Sequence, residues 1–333
     1  MPNHLISRSS QGLLLVGTGP MARAYANVLK KLRIDFRAVG RVADRAAAFA
    51  ADIGVETEGG GIGNWLAGNE APARAIVAVS IEALEQTACA LLKAGCPSIL
   101  LEKPGALDRA GLERIATCAQ QSGAKVWIAF NRRYYASVAV VRAMIEEDGG
   151  ATSAFFDFTE LGYRIATLHT DPAIKRRWFY ANSLHVVDLA FHLIGAPRSM
   201  ASLAVGSVEW HKSSAQFGGC GISDRGVPFT YRADWAAPGR WRAEIFTNKR
   251  RLILCPLEKI RIQLHDSFEE KSINVDYHLD ETFKPGLFRQ TEAWLSEDDA
   301  ISCQISELLG KMGIYEKMSN YMVDAIGIIR YEA

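Results

Sequence analysis

Lys103, in the stretch SILLEKPGAL, follows directly on an apolar run of strand type, which places its ammonium at a strand's carboxyl end. A lysine there can carry a proton to or from a reacting oxygen once burial or a nearby cation lowers its pKa. Pro104 restricts Lys103 to extended backbone, and the bond between them is a candidate cis peptide. The structural alternative is an exposed loop lysine paired with its neighbour Glu102.

A second cluster lies in FYANSLHVVDLAFHLIG, residues 179–195. The spacing predicts a helix over 182–194. At a helical turn of about 100° per residue, His185, Asp188 and His192 fall on one stripe, with Asn182 at its margin. Val186, Val187, Ala190, Phe191, Leu193 and Ile194 fill the other side, so the polar stripe is expected to face a cleft or solvent. His185 and His192 are seven residues apart, about 10 Å along the axis, whereas ligand atoms sit about 2 Å from a shared ion. Six cysteines without a CxxC pair add no zinc pattern. No metal is expected. His185 is the expected functional residue, His192 a structural one, and Asp188 would orient the imidazole or meet substrate.

A third element concerns phosphate. Gly17-Thr18-Gly19-Pro20-Met21-Ala22 fits G-x-G-x-x-A between the apolar run LLLV and a helix-forming segment. Gly17 would permit the tight turn, Gly19 would let a pyrophosphate approach the backbone, and Ala22 would keep helix and strand close. Free N–H groups and the positive dipole end then face the phosphates, and Pro20 is tolerated in a first helical turn. An NAD-preferring fold carries Asp or Glu at the end of the next strand to hold the ribose hydroxyls. Here that end reads Val39-Gly40-Arg41. A guanidinium pairs with a 2′-phosphate where a carboxylate repels it, so NADP is favoured and NAD remains an alternative.

These residues need a scaffold. Through residue 130 the sequence alternates strand-like and helix-like segments with short connections, which predicts a doubly wound parallel sheet of Rossmann type. Ligands of such sheets bind at the strands' carboxyl ends. Met21, Val79, Ser80 and Glu102 therefore join Gly17–Pro20 and Arg41 as candidate cofactor contacts. EGGGIG, residues 58–63, reads as a loop. Beyond about residue 135, strand-like runs such as TSAFFDFTE, GVPFTYRADWAA and RRLILCP succeed one another. They predict an α+β domain with an open, mainly antiparallel sheet. The expected organisation is 1–130 for cofactor and 131–333 for substrate and oligomerisation, with the active cleft at their junction.

Net charge is +1, which excludes an electrostatic case for nucleic acid or an anionic membrane. No apolar run approaches the roughly 18 residues of a membrane span, and the polar start has no signal-like core. A cytoplasmic protein with reduced thiols is expected. On the substrate side, Arg133 can face a phosphate or carboxylate together with Arg132 and the run Lys175–Arg177, and Tyr134 and Trp178 can stack on a sugar ring. Solvated charge and core packing are the plain alternatives.

GTGPMA, EKP, NRRYY, HVVD, WAAPGRW and FKPGLFRQ occur in one order along nearly the whole chain. In this it resembles the Gfo/Idh/MocA oxidoreductases, of glucose–fructose oxidoreductase and inositol dehydrogenase type. The resemblance implies a Rossmann domain followed by an open-sheet domain that forms homodimers or homotetramers. It implies NAD(P)-dependent oxidation of a sugar, nucleotide-sugar or cyclitol hydroxyl, with Lys103 as acid/base assisted by His185. Two positions depart from that pattern. Ala181 stands where members carry Asp four residues before the histidine, and Ser80, Ile81 and Leu84 replace a familiar Pro and His. Asn182 can hydrogen-bond substrate, but an amide cannot act as a base. A non-catalytic NADP-binding sensor or scaffold, or a lyase or glycosidase with a tightly held cofactor, are therefore the alternatives.

Overall fold

The computed structural model describes residues 12–321. The elements run β1 Leu13–Val16, α1 Pro20–Lys31, β2 Phe36–Val39, α2 Ala43–Ile53, β3 Thr57–Glu58, α3 Gly61–Gly68, β4 Arg74–Val77, α4 Leu84–Lys93, β5 Ser98–Glu102, α5 Arg109–Ser122 and β6 Lys125–Ala129. They continue with α6 Ala136–Glu147, β7 Ser153–Asp157, α7 Gly162–Thr167, α8 Pro172–Arg176, α9 Leu184–Ile194 and β8 Pro197–Val205. Then follow β9 Gln216–Ser223, β10 Pro228–Asp234, β11 Arg242–Phe246, β12 Arg250–Leu254, β13 Arg261–Leu264, β14 Glu270–Ser272, α10 His278–Thr282, α11 Leu287–Leu295 and α12 Ile305–Ser319.

Two compact units result. Among the described residues, the first comprises 12–131 together with Thr282–Leu309, and the second comprises Arg132–Glu281 with 310–321. The expected second domain thus gives up 282–309. The physical reason is apolar: Leu287, Trp294 and Leu295 of α11 are buried in one cluster with Leu13, Leu15, Tyr25 and Leu29. The Trp294 indole N–H also donates to Ser98 Oγ at 3.1 Å.

The first unit's sheet has the order β3-β2-β1-β4-β5-β6, all parallel, which is the doubly wound Rossmann arrangement. β1 is buried along its whole length, as a central parallel strand covered on both faces must be. Gly54 and Gly123 close α2 and α5 in the left-handed conformation that glycine adopts at least cost. EGGGIG does not form a simple loop. Glu58 ends β3 and Gly61 starts α3, whose Trp65 is buried. Tertiary burial of that indole outweighs the low helix propensity of the glycines.

The second unit's sheet has the order β14-β13-β12-β11-β7-β10-β9-β8 and is antiparallel except for β10 beside β7. The glycine-rich β9 (QFGGCGIS) lacks the β-branched signature of a strand, yet it pairs along its whole length with β8 and β10. Gly219 and Gly221 fit there because a Cβ would lie 2.5 Å and 2.3 Å from backbone carbonyl oxygens of β8. α9 packs on the sheet through Phe191, edge-on to Phe156 at 5.5 Å and to Phe229 at 5.4 Å.

The candidate cofactor and substrate sites

In the first unit, the glycine turn has the geometry its sequence demands. Gly17 has φ +125°, and a Cβ there would lie 2.3 Å from the Ala78 carbonyl oxygen, so no other residue fits. Its N–H donates to Val39 O at 2.9 Å, which ties the turn to the end of β2. Gly19 is the extended N-cap of α1, no side chain caps the helix, and nothing stands within 4 Å of where its Cβ would be. Backbone N–H groups at the start of a 12-residue helix therefore have no side-chain cap, which suits a pyrophosphate. Pro20 occupies the first helical turn, Ala22 is fully buried, and Met21 packs against the core.

Gly40 abuts Thr18, since a Cβ would lie 2.7 Å from Thr18 Cγ2. Arg41 follows it, exposed and without an ion pair among the described residues. Val79 is half-buried and Ser80 exposed after β4. Glu102 ends β5 and accepts from the Tyr25 hydroxyl at 2.8 Å. Burial first, and then the Glu102 charge, hold the Tyr25 phenol well above its ordinary titration range, so it stays a donor. Glu102 thus has a structural anchor that its own sequence neighbourhood does not reveal. Lys103 is half-buried and precedes a cis peptide to Pro104, as the X-Pro sequence allowed. After β6, the Asn131 side-chain amide donates to Pro285 O at 2.8 Å, so the FKPG turn serves to hold this strand end.

The second unit holds the substrate-side candidates, and several lie where the sequence did not place them. α9 is buried on nearly every side, with only His192 half-exposed, so its polar stripe does not face solvent. Asp188 gives both carboxylate oxygens to Arg133: Nε to Oδ2 at 2.8 Å and Nη2 to Oδ1 at 2.6 Å. Their side chains are 1% and 2% exposed. The two charges therefore neutralise each other inside the fold. Tyr134 is buried too. In the basic run before Trp178, Lys175 Nζ donates to Ala166 O and Arg177 lies 4.7 Å from the centre of the Tyr321 ring, while Arg176 is exposed.

Trp178 and Asn182 do come together, in a cavity of about 450 Å³ lined also by Glu160, Arg164, Trp241 and Glu258. Trp178 stacks edge-on with Trp210, and its indole N–H finds no acceptor among the described residues. Trp241, one wall of the cavity, is flanked by the His185 ring at 6.1 Å and the Arg132 guanidinium at 4.9 Å. His185 itself is buried. Asn182 belongs to a π-helical turn, Phe179–Ser183, that leads into α9. Such turns widen the backbone and re-aim side chains. Glu160 was missed by sequence reasoning. Its only signal is a carboxylate at the end of the alternating strand FFDFTE, and its partners lie 22 and 23 residues further on. Two other cavities, of about 420 and 450 Å³, open beside β13 and at the amino ends of β1 and β2. The latter is the wrong end of a parallel sheet for cofactor or substrate.

No described helix is long and apolar enough to cross a membrane. Among curated proteins none matches the sequence significantly. Solved structures do match. An oxidoreductase from Agrobacterium radiobacter, in complex with NAD+, L-tartaric acid and magnesium, aligns at TM-score 0.76 and 12% identity, over 96% of this chain and 98% of its own. Levoglucosan dehydrogenase in complex with NADH and levoglucosan aligns at TM-score 0.75 and 14% identity, over 94% and 97%. UDP-N-acetylglucosamine 3-dehydrogenase from Acidithiobacillus ferrooxidans aligns at TM-score 0.71 and 15% identity, over 92% and 96%. At such identities the likeness is one of fold. The sequence itself matches over part of its length: residues 12–130 fit the oxidoreductase family with an NAD-binding Rossmann fold.

Proposed function

We propose that the protein is a dehydrogenase or reductase that acts on a hydroxyl-bearing carbon of a sugar, nucleotide sugar or cyclitol, with NADP preferred over NAD. The observation that carries this reading is the open glycine cradle at β1–α1 on the same sheet edge as Lys103 at the end of β5. Bound nicotinamide would supply the hydride acceptor or donor. Gly17, Thr18 and Gly19 would hold the pyrophosphate through backbone N–H groups, and Arg41 would pair with a 2′-phosphate. Lys103 Nζ would take the hydroxyl proton on oxidation and return it on reduction. His185, against Trp241, would assist. Two tryptophans and half-buried polar groups give the second unit's cavity the character of a sugar site. The levoglucosan bound to levoglucosan dehydrogenase and the sugar in the name of UDP-N-acetylglucosamine 3-dehydrogenase support this class. Assembly into a homodimer or homotetramer belongs to the same reading and is measured by light scattering.

Ala181, buried at the place of the familiar aspartate, favours a second reading: an NADP-binding sensor without turnover. Incubation with NAD+ or NADP+ and a panel of sugars and polyols separates the two. An enzyme produces reduced nicotinamide with at least one substrate. A sensor changes cofactor fluorescence and consumes nothing at any pH, whereas a lyase or glycosidase converts sugar with no net change in the cofactor.

A further inference from the structure

Asn182 is tethered from one side only. Its Nδ2 donates to both carboxylate oxygens of Glu160, at 3.0 Å to Oε1 and 2.9 Å to Oε2. Ser183 Oγ donates to the same Oε1 at 2.7 Å. Glu160 is 5% exposed, so this carboxylate is held between the end of the β7 segment and the π-helical turn. An ionised carboxylate only accepts hydrogen bonds. The amide nitrogen must therefore face Glu160, and the carbonyl oxygen must face the other way. Asn182 lines the 450 Å³ cavity, and its Oδ1 accepts from no described residue. The arrangement presents the cavity with an oriented acceptor at Asn182.

We infer that Glu160 is a positioning residue that fixes the Asn182 amide so that Oδ1 accepts a hydrogen bond from a substrate hydroxyl. The inference rests on the cavity being the substrate site. It sharpens the substrate class: the ligand must offer a hydroxyl donor at this point, and a carboxylate or carbonyl there is rejected because it would meet a lone pair. The widened π-helical turn makes this possible, since it sets Asn182 and Ser183 beside the same carboxylate, where both can donate to it.

The test uses substitutions that reverse the amide–carboxylate polarity. In Glu160→Gln the new amide can donate to Asn182 Oδ1, which frees the Asn182 amide to turn its nitrogen into the cavity. In Asn182→Asp two carboxylates face each other. In the double variant Glu160→Gln with Asn182→Asp, the new amide at 160 donates to the new carboxylate at 182, whose other oxygen faces the cavity as an acceptor. With the best polyol or sugar of the panel, each single variant should raise the substrate KM about tenfold, the worth of one net hydrogen bond. The double variant should return it to within about threefold, and the cofactor KM should stay constant throughout. A purely structural role predicts no such rescue. An unchanged KM in Glu160→Gln, or a double variant as poor as the singles, overturns the inference. Side-chain amide NMR supplies a readout without substrate. The Asn182 NH2 protons, identified by their loss in Asn182→Asp, should exchange slowly in the parent chain and quickly in Glu160→Gln. If the whole panel gives no turnover, the dehydrogenase reading fails. Fast exchange of those protons in the parent chain refutes the Glu160 tether independently.

Discussion

Arg133 and Asp188 form a two-point ion pair between the single turn after β6 and the middle of α9, with both side chains at most 2% exposed. Planar guanidinium and carboxylate match two N–H groups to two oxygens, which fixes direction as well as distance. Desolvating two charges costs several kcal/mol each, and the pair offsets this only while both partners remain. Asp188→Ala should therefore cost about 3–5 kcal/mol of stability, because it leaves a buried guanidinium uncompensated. Replacing Arg133 with Met and Asp188 with Leu together should recover most of that loss. Urea unfolding of the three variants measures it. A loss below about 1 kcal/mol in the single variant would show that water or another group compensates the charge.

Lys103 is the proposed proton carrier. Lys103→Ala should lower turnover about 100-fold or more, the typical worth of a general acid or base, with the cofactor Kd unchanged. Lys103→Arg should not rescue it, since a guanidinium stays protonated across the working range. Steady-state turnover and fluorescence titration with NADPH decide the matter. Near-normal turnover in Lys103→Ala would remove this lysine from the mechanism.

The two halves of the protein were legible in the sequence to different degrees. The Rossmann order could be read because each signal is local: LLLV into GTGPMA, a glycine after α2 and after α5, and strand and helix in alternation. The second unit depends on distance. The pairing of Arg133 with Asp188 spans 55 residues and that of Asn182 with Glu160 spans 22, and no periodicity encodes either. α9 shows the limit most clearly. Its polar stripe reads as a face towards a cleft or solvent, yet His185 and Asp188 are buried and Asp188 is satisfied by a partner that sequence alone pointed at substrate. Likewise, the return of 282–309 to the first unit follows from burial of Leu287 and Trp294, and an apolar helix face does not announce which core it joins.

Arg41 tests the cofactor preference. It is exposed at the end of β2, next to a glycine pressed against Thr18, and no carboxylate follows that strand end. Arg41→Ala should weaken NADP binding about tenfold or more, as expected for a lost charge-assisted contact, and leave NAD binding within about twofold. Calorimetric titration with both dinucleotides measures the pair of Kd values. Equal losses for NADP and NAD would mean that Arg41 does not meet the 2′-phosphate.

Asp148 gives a pH signature within the second unit. It ends α6 and receives the β11–β12 hairpin: Thr247 Oγ1 donates to Oδ2 at 2.7 Å and Arg250 Nη2 donates to Oδ1 at 2.6 Å. Burial pushes its carboxyl pKa up, but hydrogen bonds from Thr247 and Arg250, with the charges of Arg250 and Lys249, outweigh that and leave it below the ordinary value. A depressed folded-state pKa means the unfolded chain binds the proton more readily. The stabilisation is therefore present above the unfolded value and is lost as pH falls through the folded one. Asp148→Asn should cost about 2 kcal/mol at neutral pH, the scale of hydrogen bonds to a charged group. The gap between parent and variant should hold down to about pH 4, the ordinary carboxylate range, and narrow at lower pH as the parent's carboxyl protonates. Urea unfolding of both chains from pH 7 downwards tests this. A gap that stays constant into acid would show that Asp148 secures the hairpin by shape and not by charge.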